Sequence, residues 1–430
     1  MATAPEPAPP ARGAVPPDAV ELVCTGDELL NGRTLNRHGQ TLGARLPALG
    51  LRLARETIVP DDAAAIEDAV RAALARASAV VVSGGLGPTT DDLTREAVAH
   101  LFGRRIVTDA GALEALERRY AGWGRTLSEL SRRQARVVEG FTVLPNSAGA
   151  APGQRLETGG RALFLLPGPP REFLALLEDH VLPILGQRAG AGRRRPQRVF
   201  RTCGLPESNA AQALEGIGLP GGGIDVAYCA APGRVDVRLL GPPGAADAAL
   251  DATADRVRAL LGDVVFTEDD LEEMEHVVGR LLAARGATLA VAESCTGGLI
   301  GHRVTQVAGS SAWFLGGVVA YANESKTRDL GVDAGAISAH GAVSEPVARA
   351  MAAGVRARFG AACGLAVTGV AGPGGGTPEK PVGTVWMAVA DAAGGAAKLI
   401  RGLGERSVIK DFASGMALDL LRRRLLGLTV

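Results

Sequence analysis

The stretch AVAESCTGGLIGHRV, residues Ala290–Val304, decides the fold of the last part of this chain. An apolar run typical of a buried strand leads into Ser294, Cys295 and Thr296, then into two glycines, and then into a helical pattern. A strand, a glycine-containing turn and a helix form the beginning of an α/β unit. Each of the three polar residues carries a nucleophilic atom, and the stretch does not by itself say which one reacts.

We expect the strand to end at Ser294 and the helix to begin within a few residues. Helix N-termini present free N–H groups and partial positive charge, which suit an oxyanion or a phosphate. Gly297 and Gly298 in the first turn would let a ligand approach the backbone closely. On spacing alone, an equally good interpretation is that Ser294 or Thr296 only caps the helix.

A serine nucleophile needs a base, and the chain has six histidines. His302 lies two turns along the same helix and His340 is remote in sequence, so neither is well placed. Lys326 is the alternative, because a desolvated lysine has a lowered pKa and can take a serine proton. We expect the strand GGVVAYA to carry Tyr321 and Lys326 to the edge of the site. From the residues alone, an edge tyrosine and a solvated lysine are the favoured interpretation.

A second glycine-rich stretch, VTGVAGPGGGTPEKPVGTVW, covers Val367–Trp386 and reads as strand, loop and strand. Backbone N–H groups in such a loop can wrap a phosphate, and Lys380 could add a contact. The loop lacks the GKS or GKT ending of a P-loop, so hydrolysis of nucleoside triphosphates is not implied. A flexible hairpin connection is the alternative. The candidate glycines are Gly369, Gly372, Gly374, Gly375 and Gly376.

The early stretch SGGLGPTTDD, Ser83–Asp92, reads as a strand end, a glycine-rich turn and a helix start. Its N–H groups would suit a diphosphate, and Asp91 and Asp92 would suit a divalent cation such as Mg²⁺. Capping of the following helix by Thr90 and Asp91 is equally well supported. Further strand-end loops, such as LPGPPREF, lie where α/β sheets bind ligands. The residues of this nucleotide site are expected to be Gly84, Gly85, Gly87, Thr89 and Gly168.

Length and composition bound the remaining possibilities. A chain of 430 residues implies two or three domains, and 47% hydrophobic with 21% charged residues describes a globular protein. No apolar run is long enough to span a bilayer, and the neutral net charge disfavours direct nucleic-acid binding. Five scattered cysteines without a CxxC pair argue against a disulfide framework or a zinc site. We therefore expect a cytoplasmic protein.

Alternating strands and helices predict a parallel, doubly wound sheet in the first domain and an α/β fold in the last, with a smaller α+β unit between them. The arginine-rich stretch 188–198 reads as a linker, and the Pro- and Ala-rich start reads as a tail. The predicted domains are a disordered tail at 1–17, a first domain at 18–187, a linker and small domain at 188–267, and a last domain at 268–430.

Taken together, several stretches resemble the CinA (competence/damage-inducible) family from about Val20 to the end of the chain. The last domain is similar to nicotinamide mononucleotide (NMN) deamidase, through AESCTGGL, AGSSAWFLGGVVAYANESK, HGAVSEPVA, GVAGPGGGTPEKPVGTVW and a trailing GER. The resemblance implies hydrolysis of NMN to nicotinic acid mononucleotide and ammonia without a cofactor. It makes Ser294 the nucleophile, with Tyr321 and Lys326 as partners. The implied substrate-binding residues are Cys295, Thr296, Gly297, Gly369, Gly372, Gly374, Lys380 and Arg406.

The first domain resembles the molybdopterin-binding fold of MoaB, Mog and MoeA, through SGGLGPTTDD, APG and LPGPPREF. In the CinA family this resemblance implies an ADP-ribose pyrophosphatase that depends on a divalent metal, here Mg²⁺ or a similar ion. A departure is His38, which stands where a polar Asn or Thr is usual. The middle unit resembles the small KH-like module, but it has no GXXG loop in a basic setting and should not bind RNA.

The leading hypothesis is therefore an NMN amidohydrolase with a second, pyrophosphatase site in the same chain. The family also implies a homodimer that acts on small nucleotides and does not bind membranes. An alternative of another class is a nucleotide-binding adaptor in competence or the DNA damage response, acting with a recombinase partner. A third is that only the pyrophosphatase works. Ammonia release from NMN separates these hypotheses.

Overall fold

The computed structural model describes residues 15–190 and 192–429. Most of the expected tail, residues 1–14, lies outside these ranges. The chain divides into two compact units, of which the first contains the residues up to 196 together with 241–249. The second contains 197–240 and the chain from 250 onward. Within the described ranges, no helix combines the length and the apolar character needed to cross a membrane.

The first unit is built on a six-stranded sheet. Its strands are β1 (Ala19–Thr25), β2 (Arg52–Val59), β3 (Ala79–Ser83), β6 (Thr142–Leu144), β7 (Gly153–Thr158) and β8 (Arg161–Leu166), with a separate hairpin of β4 (Ile106–Thr108) and β5 (Arg136–Val138). The sheet order is β2-β1-β3-β8-β7-β6. The first four strands run parallel, and β7 and β6 continue the sheet in antiparallel pairs.

Helices cover both faces of this sheet. They are α1 (Asp27–Leu30), α2 (His38–Gly43), α3 (Ala63–Arg76), α4 (Thr94–Leu101), α5 (Ala110–Gly122), α6 (Glu129–Arg132), α7 (Pro170–Leu176) and α8 (Leu182–Ala189). Along β3, Val80 and Val82 belong to one core and Val81 to the core on the opposite face. Successive strand residues point to opposite faces, so a strand apolar at every position is buried on both sides. The predicted doubly wound sheet is confirmed.

Two local predictions in this unit were wrong. The spacing of LNRHGQTLGARLPALG, residues 35–50, predicts a single helix that ends at Gly50. Instead, α2 ends at Gly43 and only a 3-10 turn around Pro47 follows. Proline cannot continue the backbone hydrogen bonds of a helix. The helix expected to carry Asp91 and Asp92 in its first turn begins at Thr94 instead. Both aspartates lie in the preceding turn, where local side-chain hydrogen bonds compete with helix formation.

The middle segment is an antiparallel sheet with two helices. Its elements are β9 (Gln197–Cys203), α9 (Glu207–Glu215), β10 (Asp225–Ala231), β11 (Arg234–Leu240), α10 (Asp251–Leu261) and β12 (Val265–Thr267). The sheet order is β10-β11-β9-β12. Phe200, Leu214 and Val257 bring the sheet and both helices into one core. The predicted α+β character of this segment is confirmed.

The last segment is a five-stranded sheet between two helical layers. Its strands are β13 (Leu289–Glu293), β14 (Phe314–Val319), β15 (Cys363–Gly369), β16 (Thr384–Asp391) and β17 (Gly394–Arg401). Its helices are α11 (Met274–Ala284), α12 (Leu299–Thr305), α13 (Asn323–Leu330), α14 (Ala334–His340), α15 (Glu345–Phe359) and α16 (Arg406–Leu426). Met351 of α15 belongs to the core on one face, and Leu418 of α16 to the core on the other.

The strand order of this sheet, β14-β13-β15-β16-β17, determines where the functional residues meet. Strand β13 pairs in parallel with both β14 and β15, whereas β16 and β17 are antiparallel. The carboxyl ends of β14, β13 and β15 therefore lie side by side at one edge. Open α/β sheets bind ligands at this edge.

Candidate active site

The segment after β13 is a turn rather than the start of a helix. β13 ends at Glu293 and α12 begins only at Leu299. The N–H of Ser294 donates to the carbonyl of Val367 in β15 at 2.9 Å, which ties the turn to the neighbouring strand. Gly297 and Gly298 have φ angles of 62° and 98°, in the left-handed region that glycine adopts without strain. The two glycines thus make the sharp reversal that places the buried Ser294 at the strand end.

The N-terminus of α12 is closed by a carboxylate. Glu293 accepts hydrogen bonds from the N–H groups of Gly298, Ile300 and Gly301 at 2.9, 3.1 and 2.8 Å. We expected the N–H groups near Cys295 to Gly297 to hold an oxyanion, and these three helix donors beyond them are already engaged. The N–H of Gly297 is also engaged, because it donates to the carbonyl of Ser294.

Two backbone donors in the turn remain. The N–H groups of Cys295 and Thr296 donate to no other residue among those described. They belong to the two residues that directly follow Ser294, at the carboxyl edge of the sheet. These two N–H groups, rather than those of the helix, are the local donors that an oxyanion could use.

Lys326 meets Ser294 at the site. Its Nζ lies 3.2 Å from Oγ of Ser294, 2.9 Å from the carbonyl oxygen of Ala320 and 3.2 Å from that of Tyr321. The lysine is 1% exposed, and burial lowers its pKa. The favoured interpretation of a solvated lysine was therefore wrong. Lys326 lies on α13, the helix that follows the strand expected to carry it to the edge of the site.

These contacts fit a lysine that accepts a proton. A charged ammonium would donate to all three oxygens, whereas a neutral amine has two N–H donors and one lone pair. Burial disfavours the charged form. In the neutral form the carbonyls of Ala320 and Tyr321 accept both N–H groups, and the lone pair is left for the hydroxyl of Ser294.

The other nucleophile and base candidates are not supported by the geometry. Burial raises the pKa of the Cys295 thiol to about 11, which is the opposite of what a reactive thiolate needs. No hydrogen bond joins His302 or His340 to Ser294 in the part of the chain that the structure describes. The Ser–Lys pairing is the arrangement that the fold brings together.

A cavity of about 270 Å³ lies over Ser294. Of the residues proposed from the sequence, it is lined by Ser294, Cys295, Tyr321, Lys326, Gly369, Gly372, Gly374 and Arg406. Thr296 and Gly297 are not among its lining residues, and neither is Lys380, whose Nζ donates to the carbonyl of His340 at 2.6 Å.

Sequence reasoning missed Asn323 and Thr368, which also line this cavity. Thr368 stands at the carboxyl end of β15, just before Gly369, and its hydroxyl donates to the carbonyl of Ala342 at 2.8 Å. Its strand-end position was a usable signal. Asn323 gave no comparable signal, because nothing in its local sequence distinguishes it from any helix-start residue.

Arg406 and Tyr321 face each other in the same cavity. Arg406, the first residue of α16, donates to the phenol oxygen of Tyr321 at 2.6 Å and to the carbonyl of Gly372 at 2.7 Å. The side chain of Tyr321 contacts Arg406 rather than Ser294 or Lys326, and only its carbonyl reaches Lys326. Arg406 thus supplies a cation between the β14–α13 connection and the glycine-rich loop, a loop that is also the hairpin connection from β15 to β16.

A second, larger cavity of about 540 Å³ lies at the carboxyl edge of the N-terminal sheet. Of the residues predicted there, Gly84, Gly85, Gly87, Asp91, Asp92 and Gly168 line it, and Thr89 does not. His38 lines it as well. Its Nδ1 lies 3.0 Å from Oγ of Ser83, its ring stacks on Phe173 with centroids 4.1 Å apart, and burial lowers its pKa.

The expected metal pair Asp91–Asp92 does not fit this structure. The carboxylate of Asp92 accepts hydrogen bonds from the N–H groups of Gly87 and Thr89, at 2.7 and 2.8 Å, and from the hydroxyl of Thr89. It therefore holds the glycine-rich turn together. Among residues 15–190 and 192–429, no group of three or more His, Cys, Asp or Glu side chains is arranged to hold a metal ion.

Comparison with known proteins assigns a family to each segment. The family described as a probable molybdopterin binding domain matches residues 21–187, the KH domain of damage-inducible protein CinA matches 197–267, and the CinA C-terminal domain matches 271–425. The three segments therefore have a MoaB-like, a KH and a CinA C-terminal fold, in that order.

Full-length relatives match as well. A CinA-like protein of Gemmatimonas aurantiaca is 47% identical over 412 residues, covering 94% of this chain and 96% of that protein. A CinA-like protein of Geobacter sulfurreducens is 42% identical over 410 residues, covering 95% and 99%. The crystal structure of CinA from Thermoplasma acidophilum is 34% identical, covers 39% of this chain and 98% of that one, and has a TM-score of 0.37.

Proposed function

The chain belongs to the CinA family, and from that premise we propose that its C-terminal domain hydrolyses the carboxamide of NMN to give nicotinic acid mononucleotide and ammonia. The observation that carries the proposal is the contact of 3.2 Å between Nζ of the buried Lys326 and Oγ of Ser294. A serine beside a desolvated lysine is an activated nucleophile for acyl transfer.

The contacts suggest a sequence of steps. Neutral Lys326 takes the hydroxyl proton of Ser294 while Oγ bonds to the carboxamide carbon. The resulting oxyanion is stabilised by the N–H of Cys295, which lines the cavity. The C–N bond then breaks, Lys326 returns its proton to the leaving nitrogen, and ammonia departs. Water cleaves the acyl-serine through the same base and restores Ser294.

We assign binding of the nucleotide phosphate to Arg406, which lines the same cavity. Arg406 is charged at any working pH and already makes two hydrogen bonds across the cavity, so a phosphate can exchange for them. A phosphate–guanidinium contact is among the stronger hydrogen bonds in proteins. Tyr321 then holds Arg406 in position and offers a ring face to the pyridinium, instead of relaying the serine proton.

The test is ammonia release from NMN by the purified protein in the presence of a chelator. Wild type and Cys295→Ala should be active, and Ser294→Ala should lose several orders of magnitude in kcat. Cys295→Ala is the matched control because it changes the adjacent side chain and leaves the backbone donor. An inactive wild type would contradict the proposal and favour the adaptor hypothesis.

We propose, second, that the N-terminal domain binds a nucleoside diphosphate such as ADP-ribose and cleaves its pyrophosphate bond. The support is the cavity at the sheet edge, where the N–H groups of Gly85 and Leu86 donate to no other described residue. Five carboxylates line the cavity against one arginine, so a diphosphate needs an accompanying cation. The charged lining residues are Glu28, Asp61, Asp91, Asp92, Glu172 and Arg37.

Because no preformed set of metal ligands is present, we assign no step to a metal. The experiment is AMP release from ADP-ribose by Ser294→Ala protein, with and without Mg²⁺. This background removes the proposed deamidase and leaves the first domain untouched. Release only with Mg²⁺ would support the second proposal, and no release under either condition would contradict it.

A further inference from the structure

We propose that Glu293 is the positioning residue of the nucleophile: its buried carboxylate fixes the turn of Ser294 and leaves the N–H of Cys295 available for the reaction. The inference rests on the proposed serine amidohydrolase and deepens it. Nothing in the sequence reasoning had given Glu293 a role, although it stands directly before Ser294.

The carboxylate of Glu293 makes three hydrogen bonds to backbone N–H groups. Oε2 accepts from the N–H groups of Gly298 and Ile300, and Oε1 accepts from Gly301. These are three of the N–H groups that the first turn of any helix leaves without a partner. The residue is 1% exposed and pairs with no cation among the described residues. Its three hydrogen bonds within the described ranges are therefore all to backbone N–H groups.

These contacts enclose the turn that carries Ser294. Glu293 is the last residue of β13, and its carboxylate reaches across to the start of α12, so residues 294–297 are held in a closed loop. The N–H of Ser294 is bonded to β15 and that of Gly297 to the carbonyl of Ser294. The backbone on both sides of Oγ is thereby restrained, while the N–H groups of Cys295 and Thr296 stay free.

The location of Glu293 indicates a positioning role and not a contact with the substrate. Glu293 does not line the cavity over Ser294, so it does not touch the substrate. Its effect must pass through the turn. A displacement of about 1 Å at a reacting group can cost roughly 100-fold in rate. We therefore expect Glu293→Gln to lower kcat by about 10- to 100-fold with KM changed by less than about threefold.

Glu275→Gln is the matched control. Glu275 is also buried in this domain, and it accepts a hydrogen bond at 2.7 Å from Arg303 of the same helix α12. Its removal weakens the anchoring of α12 without touching the turn. We expect this variant to lose thermal stability and to keep kcat within about twofold.

The experiment measures kcat and KM for NMN, the thermal midpoint, and the labelling rate of Ser294 by a fluorophosphonate in the absence of substrate. Slower labelling and lower kcat in Glu293→Gln, with Glu275→Gln near wild type, support the inference. Equal kcat and labelling in folded Glu293→Gln overturn it. If Glu293→Gln does not fold, Glu293→Asp replaces it, since a shorter carboxylate keeps the charge but cannot reach all three donors.

The labelling arm keeps the two proposals distinguishable. If wild type releases no ammonia but labels at Ser294, the proposed substrate is wrong and the labelling rates alone decide the role of Glu293. If wild type neither releases ammonia nor labels, Ser294 is not an activated nucleophile. Both the proposed function and the positioning role then fail.

Discussion

The Nζ atom of Lys326 lies 3.2 Å from Oγ of Ser294, although the two residues are 32 positions apart in the chain. The contact forms because β13 and β14 are adjacent parallel strands, so the turn after one strand meets the helix after the other. Parallel pairing thus converts two distant segments into one side-chain pair.

Replacement of Lys326 by arginine should abolish most of the amidase activity. Arginine carries a permanent positive charge and cannot be deprotonated, so it cannot take the serine proton. General base catalysis contributes about 10²- to 10⁴-fold, and we expect kcat to fall by that amount. Ammonia release at saturating NMN measures it, with Lys398→Arg in β17 as the control. A Lys326→Arg enzyme with normal kcat would exclude the lysine as base.

The activity should rise with pH along a single limb. Burial lowers the pKa of Lys326 below the ordinary lysine value. At low pH the amine is charged and cannot accept a proton, and as pH rises through its lowered pKa it becomes neutral and active. A profile of kcat/KM against pH reports this group in the free enzyme. A profile that falls as pH rises over the same range would contradict the assignment.

The same lowered pKa predicts the pH dependence of stability. The unfolded chain binds more protons at Lys326 than the folded chain does, so this group makes the free energy of unfolding rise with pH between the lowered and the ordinary pKa. Lys326→Met removes this dependence. Denaturant unfolding measures this at several pH values. The free energy of unfolding of the Met variant, relative to that of the wild type, should therefore decrease as pH rises.

Arg406→Gln should weaken binding of the nucleotide rather than the chemistry. Hydrogen bonds to charged groups contribute about 1.5–3 kcal/mol, which corresponds to roughly 10- to 150-fold in KM for NMN. The control substrate is nicotinamide riboside, which has no phosphate. Its KM should change little in the Arg406→Gln variant. A variant that loses equally with both substrates would show that Arg406 acts through Tyr321 and Gly372 instead.

Asp92→Ala should loosen the glycine-rich turn of the first domain. The carboxylate is the hydrogen-bond acceptor for the N–H groups of Gly87 and Thr89. Hydrogen exchange followed by mass spectrometry should show faster exchange in the peptide that contains these amides. Asp91→Ala is the control, because Asp91 lies in the same turn and accepts from neither N–H. Equal exchange in both variants would mean that other contacts hold the turn.

The sequence allowed more of the chemistry to be predicted than of its geometry. The motif around Ser294 and the glycine-rich loop were identified, and most of the residues named for the site line one cavity. The start of α12 was not located correctly. The carboxylate that caps this helix belongs to Glu293 of the preceding strand, and such a cap cannot be recognised from the local spacing of residues. In sequence, Asp91 and Asp92 resemble a pair of metal ligands, but the carboxylate of Asp92 accepts hydrogen bonds from backbone N–H groups of the same turn.

By itself, the sequence determined the class of each segment and the set of reactive groups available. Strand and helix periodicity depend on which side chains are buried, and that pattern is local. Only the tertiary structure decided that Lys326 is buried and meets Ser294, and that Arg406 meets Tyr321. The physical reason is that burial and the pKa it lowers depend on strand order, which brings together segments that share no local signal.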